Sequence, residues 1–537
     1  MMRRRATRSP ALRAVVASLL ILSVSCARHR PDGTVRIGFP IDPSTLNQIF
    51  ATQLYEQYLA CMIFSGLTTT DARGNMAPDL AETVPSHANG GISADGLTIT
   101  YRLRPGLRWQ DGKPLTAADV AFTFSLIHDP KSEAEAASNY ANVASVVARD
   151  SRTVVFHLKR PQANALTSFF RTPGGAILPQ HLLQSISDLR HAAFNAHPVG
   201  SGPYVVESWA RGTDLQLRAN HLYFRGSPQI ERLRIEFLPD ANTRVFEALS
   251  GNLDVAAGIA PRSAAELGQG NSLRIFDVPE PFLSFLAVRV NADPLDDPRV
   301  RRALGIAADR GAIVRKAYLG YASPAVEFVP PWTQYATVRA YRPQDLGEAA
   351  ALLDRAGWRV GPDGVRERAG RSLELALTFN ADSASGRTAA LLLQSEWRRL
   401  GINVALRGVH TQALFALDGV LARGNFQVAL YANGFLPDSD PNRDFLFSSR
   451  MIPPAGDNYA RYRNPVVDAA VLRGNESLDP AVRAKAYATI AKQIATDAPY
   501  IPLVWMHDIF AVSQRLAGAE PVTAGSEFCR AYGWRLR

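Results

Sequence analysis

Cysteine is scarce in this chain: three residues in 537, at positions 26, 61 and 529. Two cysteines beyond the N-terminal region cannot build a structural zinc cluster, and the ten histidines contain no HExxH pair, so the zinc-site signatures are missing. No GxxxxGK[ST] loop is present, which excludes ATP hydrolysis by the chain itself. The one suggestive "GSG", Gly200–Gly202, is not a nucleophile elbow, because Ser201 has glycine on both immediate sides. Long apolar runs are also missing: past residue 25 nothing approaches the roughly 20 residues needed to cross a bilayer. Lys and Arg exceed Asp and Glu by ten. That excess forms no basic run beside aromatic platforms, so nucleic acid is excluded as a partner. No segment is biased enough for disorder and no short repeat is visible. A globular chain of this length holds about two to four domains. No catalytic constellation emerges, and the sequence reads as a protein that is not an enzyme, without metal or cofactor.

Residues 1–25 form a separate module. Arg3, Arg4, Arg5, Arg8 and Arg13 make a basic stretch free of acids, followed by the uncharged "AVVASLLILSVS" from Ala14 to Ser25. That is the length of a signal-peptide apolar region, and it predicts export. Small residues Ser23 and Ser25 precede Cys26, an arrangement similar to a bacterial lipoprotein signal, with Ser23 standing where leucine is usual. Cys26 is therefore the expected lipidation site, with residues 26–33 as a membrane-tethered linker. Ordinary cleavage nearby, leaving Cys26 a plain thiol, is the alternative. Removing the five arginines lowers the excess of positive charge to about five. For Cys61 and Cys529 two readings stay open, a disulfide permitted by an oxidising compartment and a buried free Cys61 on a helix.

Strands and helices interleave along the rest of the chain. "TVRIGFPI" alternates like a strand and runs into the turn "DPST". "LYEQYLACMIFSGL" puts Leu54, Tyr58, Cys61 and Met62 at helical spacing, with Gly66 as the stop. Asp71 and Gly74 bracket a hairpin. Leu97, Ile99, Tyr101 and Leu103 alternate, and Thr116 with Asp119 predicts a capping box. "SLELALTFN" and "INVALRGV" read as strands around the helix "RTAALLLQSEWRRLG", and "PAVRAKAYATIAKQIATDAP" is a helix broken before Pro499. The class is α/β. Gly106, Gly112 and Gly202 are expected in turns with positive φ, Trp109 in an apolar seam, and Arg299, Arg301 and Arg302 with Asp309 on a charged helix face.

Several stretches, collinear over about Arg36 to Gly518, resemble the peptide/nickel/opine extracellular solute-binding proteins, family 5. They include "APDLAETV", "LTITYRLRPGLRWQDGKPLTAADVAFTF", "HPVGSGPYVVESW", "RVFEALSGNLDV", "DDPRVRRALGIAADRGAIV", "EAAALLDRAGW", "NYARYRNPVVDAAV" and "DAPYIPLVW". The resemblance implies a two-lobed periplasmic-binding-protein type II fold, or Venus flytrap, with a domain inserted in the first lobe. Lobe one is expected from residues 34–75, 196–283 and 505–537, the insert from 76–195 and lobe two from 284–504. The expected hinge lies in crossings near Phe282–Val288 and Ile501–His507. It further implies the substrate-binding subunit of an ABC importer: a monomer that captures a short peptide between its lobes and hands it to permease and ATPase subunits. A nickel chelate, haem, an oligosaccharide, or peptide sensing without transport are the alternatives.

Residues carried over as ligand contacts are Phe39, Pro40 and Ile41 at the end of the first strand, and Asn433, Gly434, Phe435, Leu436 and Asp438 in "YANGFLPDSDPNRDF". Peptide-binding members use an aspartate of this second segment to pair with the peptide ammonium, which needs an opposite charge once buried. Here Pro437 holds the usual aspartate position and the acid is displaced to Asp438, while Gly434 replaces a usual tryptophan. Asp438, Asp440 and Asp444 also fit a solvated loop. Tyr140, Phe282, Trp332 and Trp505 are the aromatic candidates, each competing with a plain core role. His507 reads as a packed histidine.

Overall fold

The computed structural model describes residues 33–51, 53–71, 75–172, 175–267, 272–331, 335–336, 341–434, 444–521 and 526–537. Cys26 and the N-terminal module lie outside these residues.

One large sheet runs through the molecule. Its strands are β1 (Val35–Phe39), β2 (Tyr204–Ala210), β3 (Asp214–Ala219), β4 (Arg232–Phe237), β5 (Val255–Ala256), β6 (Leu273–Val288), β7 (Ala322–Pro324), β8 (Glu374–Asn380), β9 (Asn403–Val409), β10 (Val428–Gly434) and β11 (Tyr500–Ser513). Their order across the sheet is β9-β8-β10-β6-β11-β5-β1-β4-β3-β2, with β7 added on β11. The fold is α/β, as the interleaved patterns predict.

Two long antiparallel strands, β6 and β11, join the halves of this sheet. Leu273–Pro279 pairs with Ser513–His507 beside β5, whereas Leu283–Ala287 pairs with Trp505–Tyr500 beside β10. Between the two ladders the register shifts, so that Glu280, Pro281 and Phe282 stand opposite Met506 alone. Such a bulge bends a strand and breaks its ladder locally. Each half has its own core. Val35, Ile37 and Phe39 of β1 are fully buried in the first. In the second, strand alternation splits β6 between two faces: Leu283, Phe285 and Ala287 enter one core, and Leu286 and Val288 the other.

A three-stranded sheet, with Val143–Ala148, Thr153–Leu158 and Thr98–Arg102, is inserted between β1 and β2 and shares the first core through Ile99, Tyr101 and Phe156. Its helix Ala117–His128 starts at the expected capping box, where the Thr116 amide donates to Asp119 Oδ2 at 2.8 Å. Trp109 is fully buried, and Gly106 and Gly112 take positive φ.

Three expectations need correction. Gly202 does not have positive φ. Together with Gly200 it permits close approach to helix α1 (Leu54–Ile63): a Cβ on Gly202 would lie 2.6 Å from the Ile63 carbonyl carbon, and one on Gly200 would lie 1.9 Å from the Ile63 oxygen. Arg301 is not on a charged face. It is 5% exposed, and its guanidinium donates to the carbonyls of Leu295, Asp296 and Asp497. Helix α1 ends at Ile63, ahead of Gly66, because Gly202 N–H takes the Ile63 carbonyl at 2.8 Å. Gly200→Ala should cost about 3 kcal/mol or more, since the clash is with backbone. Chemical denaturation measures it, and a wild-type midpoint would contradict the packing described.

Candidate ligand site at the strand crossing

The bulge gathers several of the expected site residues. Phe282 lies opposite Gly434, Leu283 opposite both Asn433 and Trp505, and Ser323 of β7 opposite Trp505. A Cβ on Gly434 would stand 2.6 Å from Phe282 Cε2. The bare glycine therefore lets the Phe282 ring lie against the end of β10. Asn433, Gly434 and Phe282 are partly exposed, while Trp505 is 1% exposed and packs into the core behind them.

Across the bulge, β1 ends in Phe39, whose ring contacts those of Tyr55 and Phe528 at 5.0 and 5.2 Å and is fully buried. Pro40 and Ile41 are partly exposed. Pro40, Tyr55 of α1 and Gly258 converge: a Cβ on Gly258 would meet Tyr55 Oη at 2.6 Å and Pro40 Cγ at 3.6 Å. These strands present their C-terminal ends here, where open α/β sheets form ligand crevices. A groove of about 580 Å³, walled by Asp293, Glu374, Asn403 and Gln427, opens at the opposite, N-terminal ends of β8 and β9.

Tyr140 is not brought to this place. It is 2% exposed inside the inserted part, its ring 5.1 Å from that of Phe169 and its hydroxyl accepting from the Phe170 amide at 2.9 Å. Trp332, Phe435, Leu436 and Asp438 lie outside the described residues. His507 is packed as expected: Nδ1 is 2.7 Å from Asp277 Oδ1, Nε2 is 2.9 Å from Ser323 Oγ, and its side chain is 9% exposed. It thereby links β6, β11 and β7 at the bulge.

Sequence reasoning missed an acidic group beside the crossing. It consists of Glu280 in the bulge, Asp508 in β11 and Glu527 in helix α3 (Ser526–Cys529), next to Tyr55 and Tyr58 of α1. Burial, then the neighbouring Asp508, pushes the Glu280 carboxyl well above its usual range. Burial likewise raises Asp508 strongly, although its carboxylate accepts from the Glu280 carboxyl and then from the Ile509 and Gly258 amides. Glu527 is pushed up to about 8 by burial, then by Asp508. Asp508 within the apolar run "VWMHDIF" is the one sign visible in the sequence.

Cys61 and Cys529 are joined, Cα to Cα 4.5 Å across 468 residues of sequence. The free-thiol reading of Cys61 is thereby overturned. The pairing was illegible because it depends on α3 returning from the C-terminus onto α1, a contact that no local pattern announces. Among the described residues no group of three His, Cys, Asp or Glu could hold a metal ion, and no helix is long and apolar enough to cross a membrane.

Two packed halves joined by two continuous strands, with exposed aromatic and polar side chains at the bulge, define a two-lobed solute-binding protein. The family model "Bacterial extracellular solute-binding proteins, family 5 Middle" matches residues 75–451, and the chain belongs to this family. Protein XP55 of Streptomyces lividans is 31% identical over 96% of this chain and 93% of its own. The oligopeptide-binding protein AppA of Bacillus subtilis is 27% identical over 92% and 90%. AppA's structure with a nonapeptide covers 94% of this chain and 99% of its own, with a TM-score of 0.73 and 26% identity. The substrate-binding protein CtaP of Listeria monocytogenes superposes with a TM-score of 0.83 at 26% identity, covering 94% of this chain and all of its own. The chain is thus an ABC-importer substrate-binding protein and not an enzyme.

Proposed function

We propose that the chain captures short peptides in the crevice beside the β6–β11 bulge, by hinge closure, and delivers them to a membrane permease. The observation that carries this reading is the crossing itself. Two strands run unbroken between two cores, yet their ladder is interrupted at Glu280–Phe282, which provides a flexing point without a chain break. Closure driven by the ligand's extra contacts in the shut form gives tight capture with later release. The likeness to AppA, an oligopeptide-binding protein, supports peptide over chelate or sugar. Peptide main-chain groups suit capture as an extended strand, with hydrated pockets tolerating varied side chains. Residues 34–75, 196–283 and 505–537 are assigned to lobe one, 76–195 to the insert and 284–504 to lobe two. Pro40, Ile41, Phe282, Asn433 and Gly434 are assigned to the ligand walls, with Trp332, Phe435, Leu436 and Asp438 as further candidates. Export, with Cys26 lipidated as the anchor of a monomeric receptor, completes the reading.

Mass spectrometry of solute released by mild denaturation tests it. Mixed short peptides are the expected finding, together with peptide-dependent thermal stabilisation without turnover. A sugar or metal chelate recovered instead, with peptides inert, overturns the peptide assignment.

A further inference from the structure

The acidic group at the crossing is assembled from parts of the chain far apart in sequence: Tyr55 and Tyr58 from α1, Glu280 from β6, Asp508 from β11 and Glu527 from α3. Asp508 is 6% exposed and Glu527 is 1% exposed. Burying a carboxylate is costly unless an opposite charge and hydrogen bonds compensate. The cation beside this group, Arg244 of α2 (Ala241–Leu249), is otherwise engaged. Its guanidinium donates to the carbonyls of Leu238, Pro239, Ala257 and Gly258. Arg530 draws the Glu527 carboxyl down, but less than burial and Asp508 push it up.

Among the described residues, Asp508 Oδ2 and both carboxyl oxygens of Glu527 have no hydrogen-bond partner. A second and separate observation is Tyr58, whose ring is fully buried and whose hydroxyl also lacks a partner. Asp508, Glu280 and Glu527 all lie near enough to that hydroxyl to raise it, after burial. Glu280 and Asp508 share one proton, Glu280 donating to Asp508. Glu527 and Tyr58 stand outside that pair and bond neither to it nor to one another. What remains open is Asp508 Oδ2, both Glu527 oxygens and the Tyr58 hydroxyl, with partly exposed Glu280, Tyr55 and Pro40 at the rim.

We propose that Glu280, Asp508, Glu527 and Tyr58 form a cation subsite on the lobe-one side of the crevice, taking an ammonium or guanidinium group of the solute. An alkylammonium brings three N–H donors and a guanidinium five, matching acceptors that the chain itself leaves open. The donors come from a peptide's amino terminus or from a lysine or arginine side chain. This rests on the reading that a solute is captured beside the bulge, and it lies apart from the loop containing Asp438. The disulfide has a positioning role here, because Cys529 lies two residues after Glu527 and Cys61 one turn after Tyr58.

The test uses the purified full mature chain, emptied of solute by mild denaturation and refolding, with Glu527→Gln and Asp508→Asn as variants. Thermal shift and calorimetry with agmatine, against n-butanol as uncharged control, probe the subsite without any peptide. Agmatine should stabilise the wild type at pH 8 and lose at least tenfold in affinity in either variant. Affinity should also fall on acidification to pH 5, as Glu280, Asp508 and Glu527 take up protons facing Tyr55, Tyr58, Arg244 and Arg530. Ala-Lys-Ala, Ala-norleucine-Ala and their N-acetylated forms then separate the two cation sources. A tenfold preference for lysine assigns the side chain; a tenfold loss on acetylation with no lysine preference assigns the terminus. Agmatine acting equally on wild type and both variants overturns the subsite, whatever the peptides do. Agmatine binding with all four peptides inert supports the subsite and instead overturns peptide capture. Circular dichroism confirms that each variant is folded.

Discussion

Acidification from pH 8 to pH 5 should stabilise the unliganded protein, opposite to the usual response of a chain with well-paired carboxylates. Glu527 carries the largest share. Its carboxyl moves from an ordinary 4.5 up to about 8 because burial disfavours the charge and Asp508 adds repulsion. A folded-state value above the unfolded one means the folded chain holds the proton more tightly. The stabilisation is complete below about pH 4.5 and is lost as pH rises through 8. For a group this buried the difference is on the order of 4 kcal/mol. Glu280 and Asp508, both raised, act in the same direction. Glu527→Gln keeps the shape and removes the charge, so at pH 8 its melting temperature should exceed that of the wild type, and the pH slope should flatten. A variant less stable than the wild type at pH 8 would show that Glu527 is compensated by a partner. The same change should weaken cation binding, a trade of stability against function common at binding sites.

Breaking the Cys61–Cys529 bridge should have an effect of similar size and opposite sign. The bond closes 468 residues of sequence, so in the chain-entropy account it removes a large loop from the unfolded ensemble, worth about 4–5 kcal/mol. In a chain of this size that corresponds to a fall of about 5 °C in Tm. Locally the bridge holds α3 on α1, where Phe528 stacks on Tyr58 with ring centroids 5.3 Å apart. Differential scanning calorimetry of the Cys61→Ser, Cys529→Ser double variant, and of wild type with reductant, reads the change. Agmatine affinity should fall in parallel, because Glu527 is placed by the same helix. Unchanged melting and unchanged affinity would deny the bridge any role.

The local elements were legible in the residues themselves. Thr116 and Asp119 announced their helix start, and the helix Leu346–Arg355 stops before Gly357, whose φ of 86° only glycine adopts readily. The strands β8 and β9 and the helix Ala384–Arg399 between them followed from period and length, and the structure pairs the two strands in parallel. The illegible parts were all long-range. Gly202 looked like a turn residue because nothing local reveals that Ile63 passes against it. Arg301 looked solvated because the three carbonyls that it caps come from the loop at Leu295 and Asp296 and from the distant end of the helix Pro480–Asp497. Of the acidic group only Asp508, inside an apolar run, left a sign in the sequence; Glu280 and Glu527 are unremarkable there and gain meaning only once β6 and α3 come together beside α1.

Small-angle X-ray scattering of the emptied protein with and without saturating co-purified solute is the most direct measurement, run with mass analysis of the solute afterwards. Hinge closure without turnover predicts a smaller radius of gyration on binding and solute recovered chemically unchanged. Saturated binding with no change in radius, or a solute steadily converted to products, would contradict it.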